Sequence, residues 1–170
     1  MNTPSTVLNP DSANELGPTF LGLQAHQLLS IIDLQGTALL SARGIDLPSR
    51  TVSTLMCLQK YKHLTVTGLA DYLGLSHQLV RHRLKDLKAR KLIREKSDPA
   101  DLRRTVIFLT KRGKSVALEI DRLNRQVELV YLEMFKEIGV DLYTALIKAK
   151  RALLERSLST RIKDRQHNVT

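Results

Sequence analysis

The sequence predicts a mostly α fold with a small α+β unit at its centre and long helices at both ends. Three observations carry this. Two short helical patterns meet at Leu73-Gly74-Leu75, as tightly as a helix–turn–helix requires. Two β-rich runs, Leu92 to Lys96 and Thr105 to Leu109, then flank a polar SDPADLRR tip, which reads as a hairpin. Outside these, apolar stripes at helical spacing recur from Thr19 and again beyond Thr110, with more apolar face than the central unit covers.

In chain order, residues 1–18 read as a flexible arm, rich in Pro, Ser, Thr and Asn and without the basic start and apolar core of a signal peptide. Residues 19–46 carry an N-terminal helix with Leu21, Leu28, Ile31, Ile32, Leu39 and Leu40 on one face, ending near Ala42 before Gly44. The central unit spans 47–112. Pro48 suits the first turn of a second helix reaching Tyr61, with Val52, Leu55 and Leu58 inward. Thr65 and Ser76 are N-cap residues for the paired short helices, and Gly74 closes the first of them. The second helix buries Leu79 or Val80, then Leu84 and Leu87. Residues 113–165 hold the C-terminal helices: one from Thr110 carrying Val116, Ile120, Leu123, Val127, Val130 and Met134, a break at Gly139, and a last helix from Val140 toward Ile162. Residues 166–170 form a polar tail. Surplus apolar face on the end helices implies burial against a second copy, hence a homodimer with these helices as its dimerisation unit.

Charge points to the partner. The 170-residue chain carries a net charge of +10, and Ser76 to Lys114 alone holds thirteen Lys/Arg against four Asp/Glu. Positive charge concentrated this way calls for a polyanion. An aromatic share of 4% without Trp argues against single-strand binding by stacked bases. One cysteine, Cys57, excludes an internal disulfide and suits a reducing cytoplasm. No apolar run reaches the length of a membrane span, so no membrane partner is expected. The five histidines share no metal-ligand spacing, and no phosphate-binding loop, nucleophile elbow or supported carboxylate pair is present. No metal, no cofactor and no catalysis are expected.

With Val80, Leu84 and Leu87 inward, helical spacing turns Gln78, Arg81, His82 and Lys85 outward, with Ser76 and His77 at the helix start. Gln78 can pair bidentately with adenine and Arg81 with guanine in a major groove. Lys88, together with Arg94 and Lys96 on the first hairpin strand, suits phosphates. At the hairpin tip, Arg103 and Arg104 follow Asp98 to Asp101, placing an arginine to enter a flanking minor groove, with Asp101 able to hold the Arg103 guanidinium. A solvated charged face is the ordinary alternative. Five bases (Arg81, Arg83, Lys85, Lys88, Arg90) against the single acid Asp86 on one short helix favour DNA.

The segment resembles the winged helix-turn-helix of the MarR family of bacterial transcription regulators. Leu69-Ala70, Leu73-Gly74-Leu75-Ser76, Leu87, Leu92-Ile93, Asp98 through Arg103 and Leu109-Thr110 through Gly113 carry the likeness, and the element order matches from about Thr19 to Lys163. The resemblance implies a cytoplasmic homodimeric repressor on a pseudo-palindromic double-stranded operator, released by a small phenolic or aromatic ligand or by an oxidant. It implies Arg103 as the minor-groove arginine with Asp101 its partner, and Gln78, Arg81 and His82 as base-facing positions. By position, Met56 and Tyr61 would line a ligand pocket. Two residues depart from the pattern. Lys91 stands where the family has Gly, and Gly68 where an acid closes a capping box. Two rivals share the fold: a non-specific architectural DNA-binding protein and a winged-helix protein-interaction adaptor. Cys57 reads as a small packed apolar residue in preference to a redox sensor.

Overall fold

The computed structural model describes residues 17–98 and 101–167, and for residues 98 and 101–103 the backbone alone. The expected arm at 1–16, the tip residues Pro99 and Ala100, and the last three residues of the tail lie outside the described residues. The chain divides into two units, 1–121 and 122–170.

In the first unit, a 3₁₀ turn at Pro18–Phe20 leads into α1 (Leu21–Ser41), capped at Ala42 as expected. Pro48 departs from expectation. Its backbone is extended at ψ 132°, and a 3₁₀ turn (Ser49–Thr51) separates it from α2 (Val52–Tyr61). The reason lies in what Ser49 binds. Its amide donates to Thr37 Oγ1 at 3.0 Å and its hydroxyl to Asp33 Oδ1 at 2.7 Å, so the turn is fastened to α1 before α2 begins. Gly36 makes room for this, since a Cβ there would sit 2.9 Å from the Ser49 Cβ.

A short strand absent from the sequence reading, β1 (His63–Thr65), precedes α3 (Val66–Leu73). Thr65 Oγ1 caps α3 by accepting the Gly68 amide at 3.0 Å, and Gly74 ends it in the left-handed conformation. Ser76 Oγ likewise accepts Leu79 N–H at 3.2 Å and starts α4 (His77–Ala89). Strands β2 (Ile93–Asp98) and β3 (Asp101–Leu109) are longer than the β-rich runs suggested. The sheet order is β1-β3-β2, all antiparallel, with His63, Phe108 and Arg94 in one cross-strand row.

Helix α5 (Lys111–Glu137) opens under Thr110, whose Oγ1 accepts Gly113 N–H at 3.0 Å and donates to Lys91 O at 2.8 Å. The core gathers Leu55, Leu58, Leu69, Val80, Leu87, Ile107 and Ile120, each at most 1% exposed. Each such large side chain contributes about 1.5–3 kcal/mol by leaving water. Of the two candidates for the inward position on α4, Val80 is buried and Leu79 is exposed. On α5 the buried contact falls on Ala117, with Val116 only half-buried.

The second unit contains the rest of α5, then α6 (Leu142–Glu155) and α7 (Leu158–His167). Gly139, at φ 68°, ends α5, and Asp141 caps α6 by accepting Thr144 N–H at 3.0 Å. The single last helix expected from Val140 to Ile162 is instead two. Arg156 is extended, and Ser157 Oγ accepts Thr160 N–H at 3.2 Å to start a new helix. No residue of α6 or α7 is buried. Among the described residues, no helix is long and apolar enough to cross a membrane.

Candidate nucleic-acid interface

Helix α4 is amphipathic, and its polar side divides into two sets. The outward set matches the sequence reading: Ser76, His77, Gln78, Arg81, His82 and Lys85 are all exposed. Among the described residues, Arg81 and Lys85 have no ion-pair partner, so their charge faces solvent undiminished.

The second set holds the helix down, and the sequence reading missed it. Arg50, on the 3₁₀ turn, reaches Asp86 Oδ2 at 3.1 Å, and His82 Nε2 lies 4.0 Å from the same oxygen. Arg83 Nη1 donates to Ser53 Oγ at 3.0 Å. Burial pulls the Arg83 guanidinium below its ordinary value, against the opposing attraction of Asp33, and its Nε is buried without a partner among the described residues. Arg90 donates through Nε to the Asp46 carbonyl at 2.6 Å and through Nη1 to the Asp86 carbonyl at 3.3 Å. Its Nη2 meets the Asp46 carboxylate at 3.3 Å. So of five bases on one helix, two point out freely and two are structural. Lys88, expected at a phosphate, bonds Glu95 Oε2 across to β2 at 2.7 Å. That exposed pair is worth little, and a phosphate can displace it. No sequence signal marks Arg50, which is 36 positions from its acid.

On the hairpin, Arg104 and Lys96 are exposed, and Lys96 lies opposite Val106. Arg94 sits over the Phe108 ring, 5.8 Å from its centroid. The side chains of Asp101 and Arg103 lie outside the described residues. Lys91 does adopt the left-handed conformation, at φ 57°, with its amide on Lys88 O at 2.9 Å. The position thus keeps the geometry that favours Gly while carrying a Cβ.

The expected ligand-pocket pair is not brought together. Met56 and Tyr61 are five positions apart on α2, about 140° around the helix. Tyr61 instead packs edge-on against Tyr72, with ring centroids 4.9 Å apart, beneath Lys60. Cys57 is buried on the same helix, and burial pushes its thiol above the ordinary value, outweighing the pull of Lys60.

A capped helix pair, an exposed second helix and a three-stranded antiparallel sheet ending in a hairpin define a winged helix-turn-helix. The MarR family model matches residues 44–104. No curated protein matches the chain by sequence. Among solved structures, the chain is similar to MepR of S. aureus in a complex with DNA, with TM-score 0.67 and 20% identity over 78% of this chain and 97% of that one. It is similar to a mutant MarR of E. coli complexed with operator DNA, with TM-score 0.63 and 20% identity over 84% and 99%. A MarR transcriptional regulator of Methanosarcina mazei Go1 shares the fold at TM-score 0.60 and 17% identity over 79% and 99%. At these identities the likeness establishes the fold.

Proposed function

We propose that the chain is a dimeric, sequence-specific DNA-binding repressor of transcription. The observation that carries this is the division of α4: its acid is occupied by Arg50, its inward arginines are tethered, and Gln78, Arg81, His82 and Lys85 are left together on the open side. Such a face enters a major groove and offers bidentate donors to base edges. In this reading Lys88, Arg94 and Lys96 take phosphates, and the hairpin tip carrying Asp101, Arg103 and Arg104 serves the flanking minor groove. Similarity to MepR and MarR structures that contain DNA supports the reading.

Dimerisation rests on uncovered apolar surface. Of the expected α1 stripe only Leu40 is buried, while Leu21 is 65% exposed. In the second unit Leu129, Val130, Leu146, Leu154 and Leu158 are exposed as well. Rows this extensive on a monomer mark an interface, and two copies would space two reading helices by about one turn of DNA, roughly 10 bp. Release by a small phenolic or aromatic ligand belongs to the same reading.

The test is footprinting and titration on the promoter of the protein's own gene. Arg81→Ala is expected to lower affinity about 10- to 100-fold and relax base choice at one position, whereas Lys85→Ala should weaken all duplexes alike and reduce the salt slope by about 1. Arg103→Ala should abolish preference for A·T flanks. Equal affinity of the wild type for promoter and scrambled duplexes at physiological salt would overturn sequence specificity in favour of an architectural role.

A further inference from the structure

A cavity of about 330 Å³ lies at the root of the hairpin. Its apolar side is Leu58 from the end of α2 with Phe108 and Leu109 from β3, and its rim is Lys62, Arg94 and Lys114. Each cation is placed by backbone geometry. Arg94 lies opposite Phe108 in the sheet, so both side chains share a face, and its guanidinium stacks over that ring. Lys114 follows Gly113 in the first turn of α5, where Thr110 O accepts its amide at 3.0 Å. Lys62 closes α2 at φ 65° and ψ −44°, a strained conformation for a residue with a Cβ. Strain of this kind persists where the surrounding structure requires a side chain in a particular place.

Charge at this cavity is uncompensated. No acid lines it, and among the described residues none of the three cations has an ion-pair partner. Elsewhere in the same unit the fold matches Arg50, Lys88 and Arg90 with carboxylates. We propose that this cavity binds a small phosphate monoester with a compact apolar body. A monoester carries about −1.5 to −2 near pH 7 and three acceptor oxygens, which suits three donors better than a single carboxylate does. A volume at the lower end of the usual range for small-molecule sites, about 300–1,000 Å³, excludes a macromolecule. Phe108, half-buried above the closed side chains of Leu58 and Leu109, gives the ester's hydrocarbon part a contact that inorganic phosphate cannot use. The proposal shares Arg94 with the DNA-binding reading, and titration without DNA tests it separately.

The experiment is calorimetric titration of the full chain with phenyl phosphate, inorganic phosphate and benzoate, without DNA. Phenyl phosphate should bind tightest of the three. Lys62→Gln with Lys114→Gln should weaken it by about tenfold or more, while the paired Lys→Arg variant and Arg81→Ala with Lys85→Ala should hold it near the wild-type value. In the wild type, phenyl phosphate protons should show nuclear Overhauser contacts to the Phe108 ring. Binding no tighter than that of inorganic phosphate or benzoate, an unchanged affinity in the double Gln variant, or the absence of contacts to Phe108 would each overturn the assignment.

Discussion

Gly113→Ala offers the sharpest test of how the hairpin is joined to α5. Propensity alone predicts a gain, because Gly inside a helix costs about 0.8–1.0 kcal/mol relative to Ala. The structure reverses that sign. A Cβ at Gly113 would lie 2.0 Å from the Leu92 carbonyl oxygen and 3.0 Å from its carbon, and both are backbone atoms that no rotamer change can move. The same oxygen accepts the Thr110 amide at 2.9 Å and the Thr110 hydroxyl at 3.2 Å, so relieving the clash disturbs the cap of α5 too. Overpacking of this type costs roughly 1–3 kcal/mol and more where the backbone must shift. With the propensity gain subtracted, a net loss of up to about 2 kcal/mol is expected, and more where the backbone must shift. Urea unfolding followed by circular dichroism would report it as a lower midpoint at unchanged slope. A midpoint equal to or above the wild type would refute the reasoning, since it would mean that β2 and α5 do not meet as closely as described.

Two further outcomes follow from single residues. Lys91→Gly should raise stability by up to about 1 kcal/mol, because it removes a Cβ from a left-handed position whose amide bond to Lys88 O a glycine keeps; chemical denaturation measures it, and a loss would mean that the Lys91 side chain makes a compensating contact. Cys57 should react slowly with a thiol reagent in the native protein near pH 8 and rapidly in urea, because burial raises its thiol above the ordinary value and depletes the thiolate; rapid native labelling would reopen the oxidant-sensor reading.

The helix–turn–helix was legible because each of its signals is local. Thr65, Gly74 and Ser76 act within one turn of themselves, and the Val80, Leu84, Leu87 stripe declares its own period. Elements defined by a distant partner were not legible. Strand β1 is three residues long and exists only by pairing with Val106, Ile107 and Phe108. The 3₁₀ turn after Pro48 depends on Asp33 and Thr37 of α1, and the break between α6 and α7 rests on Ser157, whose capping role an unbroken apolar stripe concealed. At the candidate site the outward face was readable from helical spacing. Its tethering by Arg50, Arg83 and Arg90 was not, because one arginine looks like another until its partner is known.

That tethering has an evolutionary consequence. Positions 83, 86 and 90 dock α4 to Ser53, Arg50 and Asp46, while 78, 81, 82 and 85 face outward. Among the described residues, the two sets share only the long His82–Asp86 approach. A lineage can therefore exchange Gln78, Arg81 or Lys85, and with them the sequence that is read, while the helix stays anchored at the same angle. Recognition can drift in such a protein without each step having to be rescued by a compensating change in the core.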